Sequence, residues 1–327
     1  MMRKLCVCTG CALSLALLCR YSTDCADAVR AAVTLCLTSV IPSLFPFFAA
    51  SSLAVSCGLA QELGRLLSPF MRRCFHLPGC GAAALALGFL GGYPAGARMS
   101  AELYHSGLCT REEASALAAC CNNTGPAFLV GMCGGGLFHS LRAGIFLYAV
   151  HIASALLTAL LLRPKRTQSA VYAANQTKPL PFFHCLVQAV TSAGHSCLMI
   201  SAFILFFSVV LCLLRLTGML SVLCTALTPL LSISGLSASG VHSLLTGCVE
   251  LTQGLAGLTD HAGTIFARLT AVSFLCAFGG LSVLFQTAAA TEGLALTRCV
   301  YGKCIHACLA ALLCALLLLI FPSLSQL

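Results

Sequence analysis

The chain alternates long apolar runs with short polar or basic connections. After a first run from Leu5 to Cys19, apolar segments fall at 31–60, 80–99, 114–133, 143–162, 186–214, 221–233, 240–258, 270–287 and 304–321. Crossing the ~30 Å hydrocarbon layer takes about 20 apolar residues in a helix. Helices are the expected form, because lipid offers no partner to an unpaired backbone N–H or C=O. The first run follows Arg3 and Lys4, and no small-x-small cleavage site clearly follows it, so an uncleaved anchor is expected.

One run interrupts itself. "LGFLGGYPAGARM", Leu87 to Met99, starts apolar, breaks on two glycines, a tyrosine and a proline, and exits on Arg98. Glycine permits a tight turn and proline cannot continue the preceding helix, so the stretch reads either as a packing kink or as the tip of a re-entrant hairpin. Charge decides for the hairpin. The connections 61–79, with Arg65, Arg72 and Arg73, and 163–181, with four basic residues and no acidic one, should both face the cytoplasm. Three full spans between them would put them on opposite faces; a hairpin at 80–99 followed by two spans keeps them together, with 98–113 on the same side.

The halves also resemble each other. Shifting the sequence by 158 places "SLFPFF" (Ser43 to Phe48) over "SAFILF" (Ser201 to Phe206) and "LLLRP" (Leu160 to Pro164) over "LLIFP" (Leu318 to Pro322). Each half holds three spans and one hairpin. Three is odd, so the second half enters upside down, the inverted repeat of secondary carriers. The expected organisation is an anchor at 1–25, a first repeat at 26–164, a basic linker at 165–183 and a second repeat at 184–322, with a second hairpin at 240–258 turning at Cys248 to Gly254. The fold class is an all-α integral membrane protein, an inverted-repeat helical bundle with re-entrant hairpins and broken helices.

Composition agrees. Residues are 59% hydrophobic and 8% charged, against about 25% charged in soluble domains, so lipid is the expected surroundings and partner. The net charge of +9 sits in short loops without interleaved aromatics, which argues against nucleic acid. Most of the 23 cysteines lie inside apolar runs, where Cys acts as a small hydrophobe. "CTGC" (Cys8 to Cys11) has redox spacing but lies in the first run, and the nine histidines are scattered, so no metal or cofactor is expected. There is no Ser/His/Asp set, carboxylate pair or phosphate loop, which argues against an enzyme.

Four segments carry candidate chemistry. The first is the tip, with Gly92, Tyr93, Pro94 and Gly96. The second is "CCNNTGP", where Asn122, Asn123 and Thr124 precede Gly125 and Pro126 inside an apolar run. Three consecutive polar side chains cannot share one helix face, so a discontinuous helix with polar groups at its break competes with simple interhelical hydrogen bonding. Its sequon is buried and is not a glycosylation site. The third is Glu250 in "GCVELTQG", with Thr252, Gln253 and Gly254. A carboxylate at membrane depth reads as functional by default, with proton coupling as one role and a structural ion pair to Arg98 or Arg268 as the other. The fourth is "FGGLSVLFQ", Phe278 to Gln286, which falls under the shift on the broken "NNTGP" helix. Elsewhere, Pro42 and Pro46 should kink a long span, His195 should be a satisfied helix contact, and Thr110 should cap a helix whose first turn carries Glu112 and Glu113.

The order "GYPAGA", "REEA", "NNTGP", E-x-T-x-G and "GGLSVLFQ" resembles the YlbJ or SpoVV family of sporulation integral membrane proteins, within the wider group with nucleoside-recognition Gate domains, over roughly residues 30 to 320. The resemblance implies a membrane protein of an endospore-forming bacterium that moves dipicolinic acid across the outer forespore membrane. It also implies similarity to concentrative nucleoside carriers, whose hairpin tips and broken helices bind substrate. Carried over, it marks Gly92, Tyr93, Pro94, Gly96, Asn122, Thr124, Gly125, Pro126, Glu250, Thr252, Gly254 and Gln286. The leading expectation is a carrier for a small anionic solute such as dipicolinate, its carboxylates held by helix N-termini and free amides at both tips. A nucleoside-type carrier and a non-transporting sporulation scaffold are the alternatives, and a homo-oligomer stays open.

Overall fold

A computed structural model describes residues 2–57, 59–164, 181–291 and 293–326. Most of the basic linker expected at 165–183 lies outside the described residues.

α1 (Met2–Arg20) precedes a long rod: α2 (Ser22–Leu35) passes through a π-turn at Cys36–Val40 into α3 (Ile41–Ser56). The π-turn lies just before Pro42, whose missing N–H and ring disturb the ladder of the turn before it. An amphipathic α4 (Leu59–Phe75) follows. α5 (Gly81–Gly91) and α6 (Ala95–His105) form the first hairpin, and α7 (Arg111–Cys121) leads through a non-helical break into a π-helical segment at Ala127–Leu137 and then α8 (Leu141–Leu161). The second half repeats this order: a rod α9 (Phe182–Leu216), a short α10 (Met219–Leu231), a hairpin of α11 (Ala238–Val249) and α12 (Leu251–Ala256), a broken helix of α13 (Ile265–Phe278) and α14 (Gly280–Ala290), and α15 (Leu296–Ile320). Corresponding elements recur close to the 158-residue shift. Among the described residues, five helices are long and apolar enough to cross a membrane. Large apolar side chains such as Phe183, Leu198 and Phe206 of α9 face outward, as expected in lipid.

Local sequence explains the starts. Thr110 and Glu113 form a capping box, Glu113 N–H donating to Thr110 Oγ1 at 3.2 Å and Thr110 N–H to Glu113 Oε2 at 2.9 Å. Ser140, Ser237 and Thr264 cap α8, α11 and α13 with their side-chain oxygens. Gly96 is fixed by close approach: a Cβ there would overlap the carbonyl of Cys121 and crowd Gly88. The two hairpin legs and α7 therefore pack backbone to backbone.

The hairpins open at opposite ends. At one end, Cys80 Sγ lies 3.6 Å from Leu108 O, joining the feet of the first hairpin. His76 Nδ1 lies 3.1 Å from Pro164 O and Arg163 donates to Cys74 O at 3.3 Å. Arg298 reaches Leu162 O at 3.1 Å and Glu112 at 3.7 Å. This end is basic, and the positive-inside rule assigns it to the cytoplasm. The feet of the second hairpin join at the other end, through Ser237 N–H to Ala262 O and Thr264 N–H to Gly235 O. There Arg268 lies over the Phe138 ring, drawing in the turn that precedes α8.

Three expectations need correction. The second leg of the first hairpin is the whole of α6, not the end of the apolar run at 99. Its charged residues Arg98 and Glu102 line a cleft while Gly96, Ala97, Ser100 and Ala101 are buried. The segment 221–233 is the 13-residue α10, too short to span at 1.5 Å per residue. The last span begins at Leu296 rather than 304, which brings Lys303 inside it.

The packing at Gly96 predicts that Gly96→Val lowers stability by about 1–3 kcal/mol, as overpacking does; thermal melting in detergent measures it. The end assignment predicts that an epitope inserted at Gly107 is read from one face of oriented vesicles and one at His139 from the other. Both epitopes on one face would break the inverted arrangement.

Candidate functional site

Each hairpin brings its tip to a helix break. The first tip, at Gly92 to Pro94 with a cis Tyr93–Pro94 bond, lies against Gly125 in the interruption at 122–125. The second tip, at Glu250, lies beside the break at Gly279 and Gly280, both at positive φ (84° and 72°). A Cβ on Gly280 would meet the carbonyls of Gly247 and Cys248. The two arrangements interlock: Tyr93 Oη and Thr124 Oγ1 both donate to Cys276 O at 2.7 Å, and Asn122 Nδ2 donates to Thr287 Oγ1 of α14 at 2.6 Å.

Lys303 of α15 stands at the centre of this crossing, 1% exposed. Its Nζ donates to Tyr93 Oη at 2.7 Å, to Ala277 O near the end of α13 at 3.2 Å, and to Asn122 O at the end of α7. It also lies 4.2 Å from the centre of the Tyr93 ring. One ammonium thus serves carbonyls freed by both breaks and the first tip. Behind it, His151 Nε2 accepts from Thr124 N–H at 3.0 Å, which places the ring proton on Nδ1. The His151 and His306 rings are 4.6 Å apart, and His306 Nε2 is 3.0 Å from Ser154 Oγ.

A cavity lies between the tips, lined by Gly92, Tyr93, Thr124, Gly125, Glu250, Thr252, Ser282 and Gln286 and by apolar Leu44, Phe128 and Ile204. Tyr93, Phe48 and Gln286 also border a cleft of about 340 Å³ that runs along α6 past Pro94, Arg98 and Glu102 towards the basic end. α9 contributes Gln188, Ser192, His195 and Ser196 to it, one polar stripe at helical spacing. Arg98 makes no hydrogen bond or ion pair among the described residues, and its guanidinium is exposed in the cleft. A second cleft, about 370 Å³, enters from the other end between α2 and α9, lined by Asp24, Asp27, Arg215 and Gln253. Gln253 bonds to Ser208 of α9 there.

Of the residues singled out in the sequence, Gly92, Tyr93, Pro94, Thr124, Gly125, Glu250, Thr252 and Gln286 line the central cavity or the basic-end cleft, and Gln253 faces the opposite cleft. The others work from behind. Asn122 bridges to Thr287 and Lys303, Asn123 donates to Cys120 O at 2.9 Å, Gly96 and Gly254 pack against backbone, and Pro126 starts the helix after the break. Three expectations are overturned. The Glu250 carboxylate accepts from Thr252 N–H at 3.1 Å and Gln253 N–H at 2.8 Å, so the amides of the second tip are taken by the chain's own carboxylate rather than left for a solute. Arg268 pairs with Asp260, not Glu250. His195 lines the cleft rather than a helix contact, because α9 turns its polar stripe inward. Lys303, His151, His306 and Arg98 were missed as site residues. Lys303 and His306 were legible once α15 begins at Leu296, since they fall on the same stripe as Cys299, Gly302 and Ala310.

Comparison with known proteins places this geometry. A family model described as nucleoside recognition, Gate, matches residues 37–161. The sporulation integral membrane protein YlbJ of Bacillus subtilis (strain 168) is 32% identical over 269 residues, covering 76% of this chain and 66% of that protein's length. Two solved structures of CNTnw share the fold: an inward-facing, substrate-bound state at TM-score 0.63 and 14% identity, over 96% of this chain and 87% of that one, and a doubly substituted variant in an outward-facing state at TM-score 0.59 and 13% identity, over 94% and 86%. The architecture is thus that of a membrane transporter-like fold, and the chain belongs to the family of Gate-domain integral membrane proteins that includes the sporulation protein YlbJ.

Proposed function

We propose that this chain is a carrier for a small planar anion, with dipicolinate as the solute and the outer forespore membrane as the site of action. The observation that carries the carrier reading is the pairing of clefts. One runs from the basic end to Tyr93 and Gln286, while the other stops at the bond between Gln253 and Ser208. A site reached from one side and closed on the other is what alternate exposure requires. The basic-end cleft, at about 340 Å³, falls within the range of roughly 300–1,000 Å³ for small-molecule sites.

The unpaired Arg98 guanidinium supports an anion, since its fork matches a carboxylate bidentately. Tyr93, Thr252 and Gln286 would orient the ring at the inner end, between the apolar walls of Phe48 and Phe128. A relative named for sporulation supports a role in sporulation, and dipicolinate is the small planar dianion we assign to it on this reading. Glu250 lines the same small space, and a dianion repels an ionised carboxylate there, so on this reading the solute travels with a proton on Glu250.

A second reading follows from the same carboxylate. Glu250, Thr252, Ser282 and Gln286 would suit a neutral hydroxyl-rich ligand, and the matching family model is described as nucleoside recognition.

Uptake of labelled dipicolinate and of labelled uridine into proteoliposomes separates the two. For dipicolinate, Arg98→Ala should raise the KM about tenfold or more, given ~1.5–3 kcal/mol for a charge-assisted contact. Uridine uptake with no dipicolinate uptake would transfer the assignment to the second reading. Dipicolinate uptake should also rise as pH falls, and Glu250→Gln should flatten that dependence; a profile unchanged in Glu250→Gln removes Glu250 from the coupling.

A further inference from the structure

The groups around Lys303 form a cation site. Three oxygens from three separate elements converge on its ammonium: Asn122 O at the end of α7, Ala277 O near the end of α13, and Tyr93 Oη on the first tip. The C-terminal end of a helix carries partial negative charge, and two such ends face this one group. No carboxylate forms an ion pair with Lys303 among the described residues, so peptide dipoles, the Tyr93 hydroxyl and the Tyr93 ring face supply its stabilisation. A buried charge without a counterion costs several kcal/mol, and the arrangement holds only because the carbonyls are themselves in need of a cation.

In carriers with interrupted helices, unwound carbonyls and half-helix C-terminal ends are where a coupling ion binds. We infer that the Lys303 ammonium is a tethered substitute for that ion. It fills the carbonyl site formed by the two breaks and the first tip, so the protein is indifferent to sodium, lithium and potassium. Without the lysine, Asn122 O, Ala277 O and Tyr93 Oη would surround a space suited to a small alkali cation. The transport consequence rests on the carrier reading above; the occupancy of the site does not.

The test is thermal melting of the purified full-length chain in sodium, lithium, potassium or choline chloride at equal ionic strength. Wild type should melt at the same temperature in all four. Lys303→Ala should melt lower in choline and recover by a few degrees in sodium or lithium. Lys303→Gln, which keeps part of the stem and adds its own amide, guards against a variant that does not fold. Tyr93→Phe, which keeps the ammonium, should stay indifferent to the cation. A wild type stabilised by sodium over choline would overturn the inference, as would a folded Lys303 variant blind to every alkali cation. Wild-type uptake in choline medium should equal that in sodium medium. If no solute is taken up at all, the carrier reading falls while the melting result still decides the identity of the cation.

Discussion

A helix interrupted inside lipid leaves carbonyls without partners, and the centre of this structure is organised to answer them. An unsatisfied buried polar group costs about 1–3 kcal/mol, and two broken helices at one depth would accumulate several such groups. The answer here is mutual. The breaks of the two halves face each other, Tyr93 and Thr124 of the first half share the Cys276 carbonyl of the second, and Lys303 gathers carbonyls from both. The cavity between the tips exists because helical packing cannot continue through such a crossing. Site and scaffold therefore have one cause.

The two halves solve the same problem unequally. The first break is polar, with Asn122, Asn123 and Thr124, and depends on groups elsewhere in the chain, including Thr287, His151 and Lys303. The second break is a glycine pair, and the tip beside it is self-contained, because Glu250 caps the helix of its own hairpin. Withdrawing the first tip would strip Lys303 of an oxygen and a ring face. The second tip carries its cap within its own hairpin, and its polar tie to α9 is the bond from Gln253 to Ser208. The geometric symmetry thus carries a mechanical asymmetry.

Much of the architecture was legible because lipid imposes simple rules. Charge bias in the loops and an odd number of spans required the hairpin at Tyr93 and the inversion of the second half. The constant shift put the second hairpin and the glycine break where they lie. What stayed hidden depended on contacts between distant segments. Lys303 looked like the polar edge of an apolar run because hydropathy starts that run at 304; only a helix that begins at Leu296 puts it on the buried stripe. His151 and His306 are 155 positions apart and meet only because α8 packs on α15. Arg98 and Glu102 read as loop charges, because hydropathy marks where apolar residues stop and not where a helix does. The polar stripe on α9 is diluted by the apolar face around it.

Charge along the route from the basic end explains why solute chemistry is the harder question. The mouth offers the unpaired Arg98, with Glu102 one turn on, while the inner end offers Glu250 and neutral hydroxyl and amide groups. The strongest internal cation, Lys303, is engaged by carbonyls and by Tyr93. An anion would thus be attracted at the entrance and would meet a carboxylate at the end of its path. That path works only if the carboxylate is neutral when the anion arrives, so the protonation of Glu250 decides whether an anion can occupy the inner end. A neutral ligand meets no such barrier and gains little from Arg98. The solute and its coupling to protons are therefore one question, and the charge state of Glu250 with the cavity filled answers both.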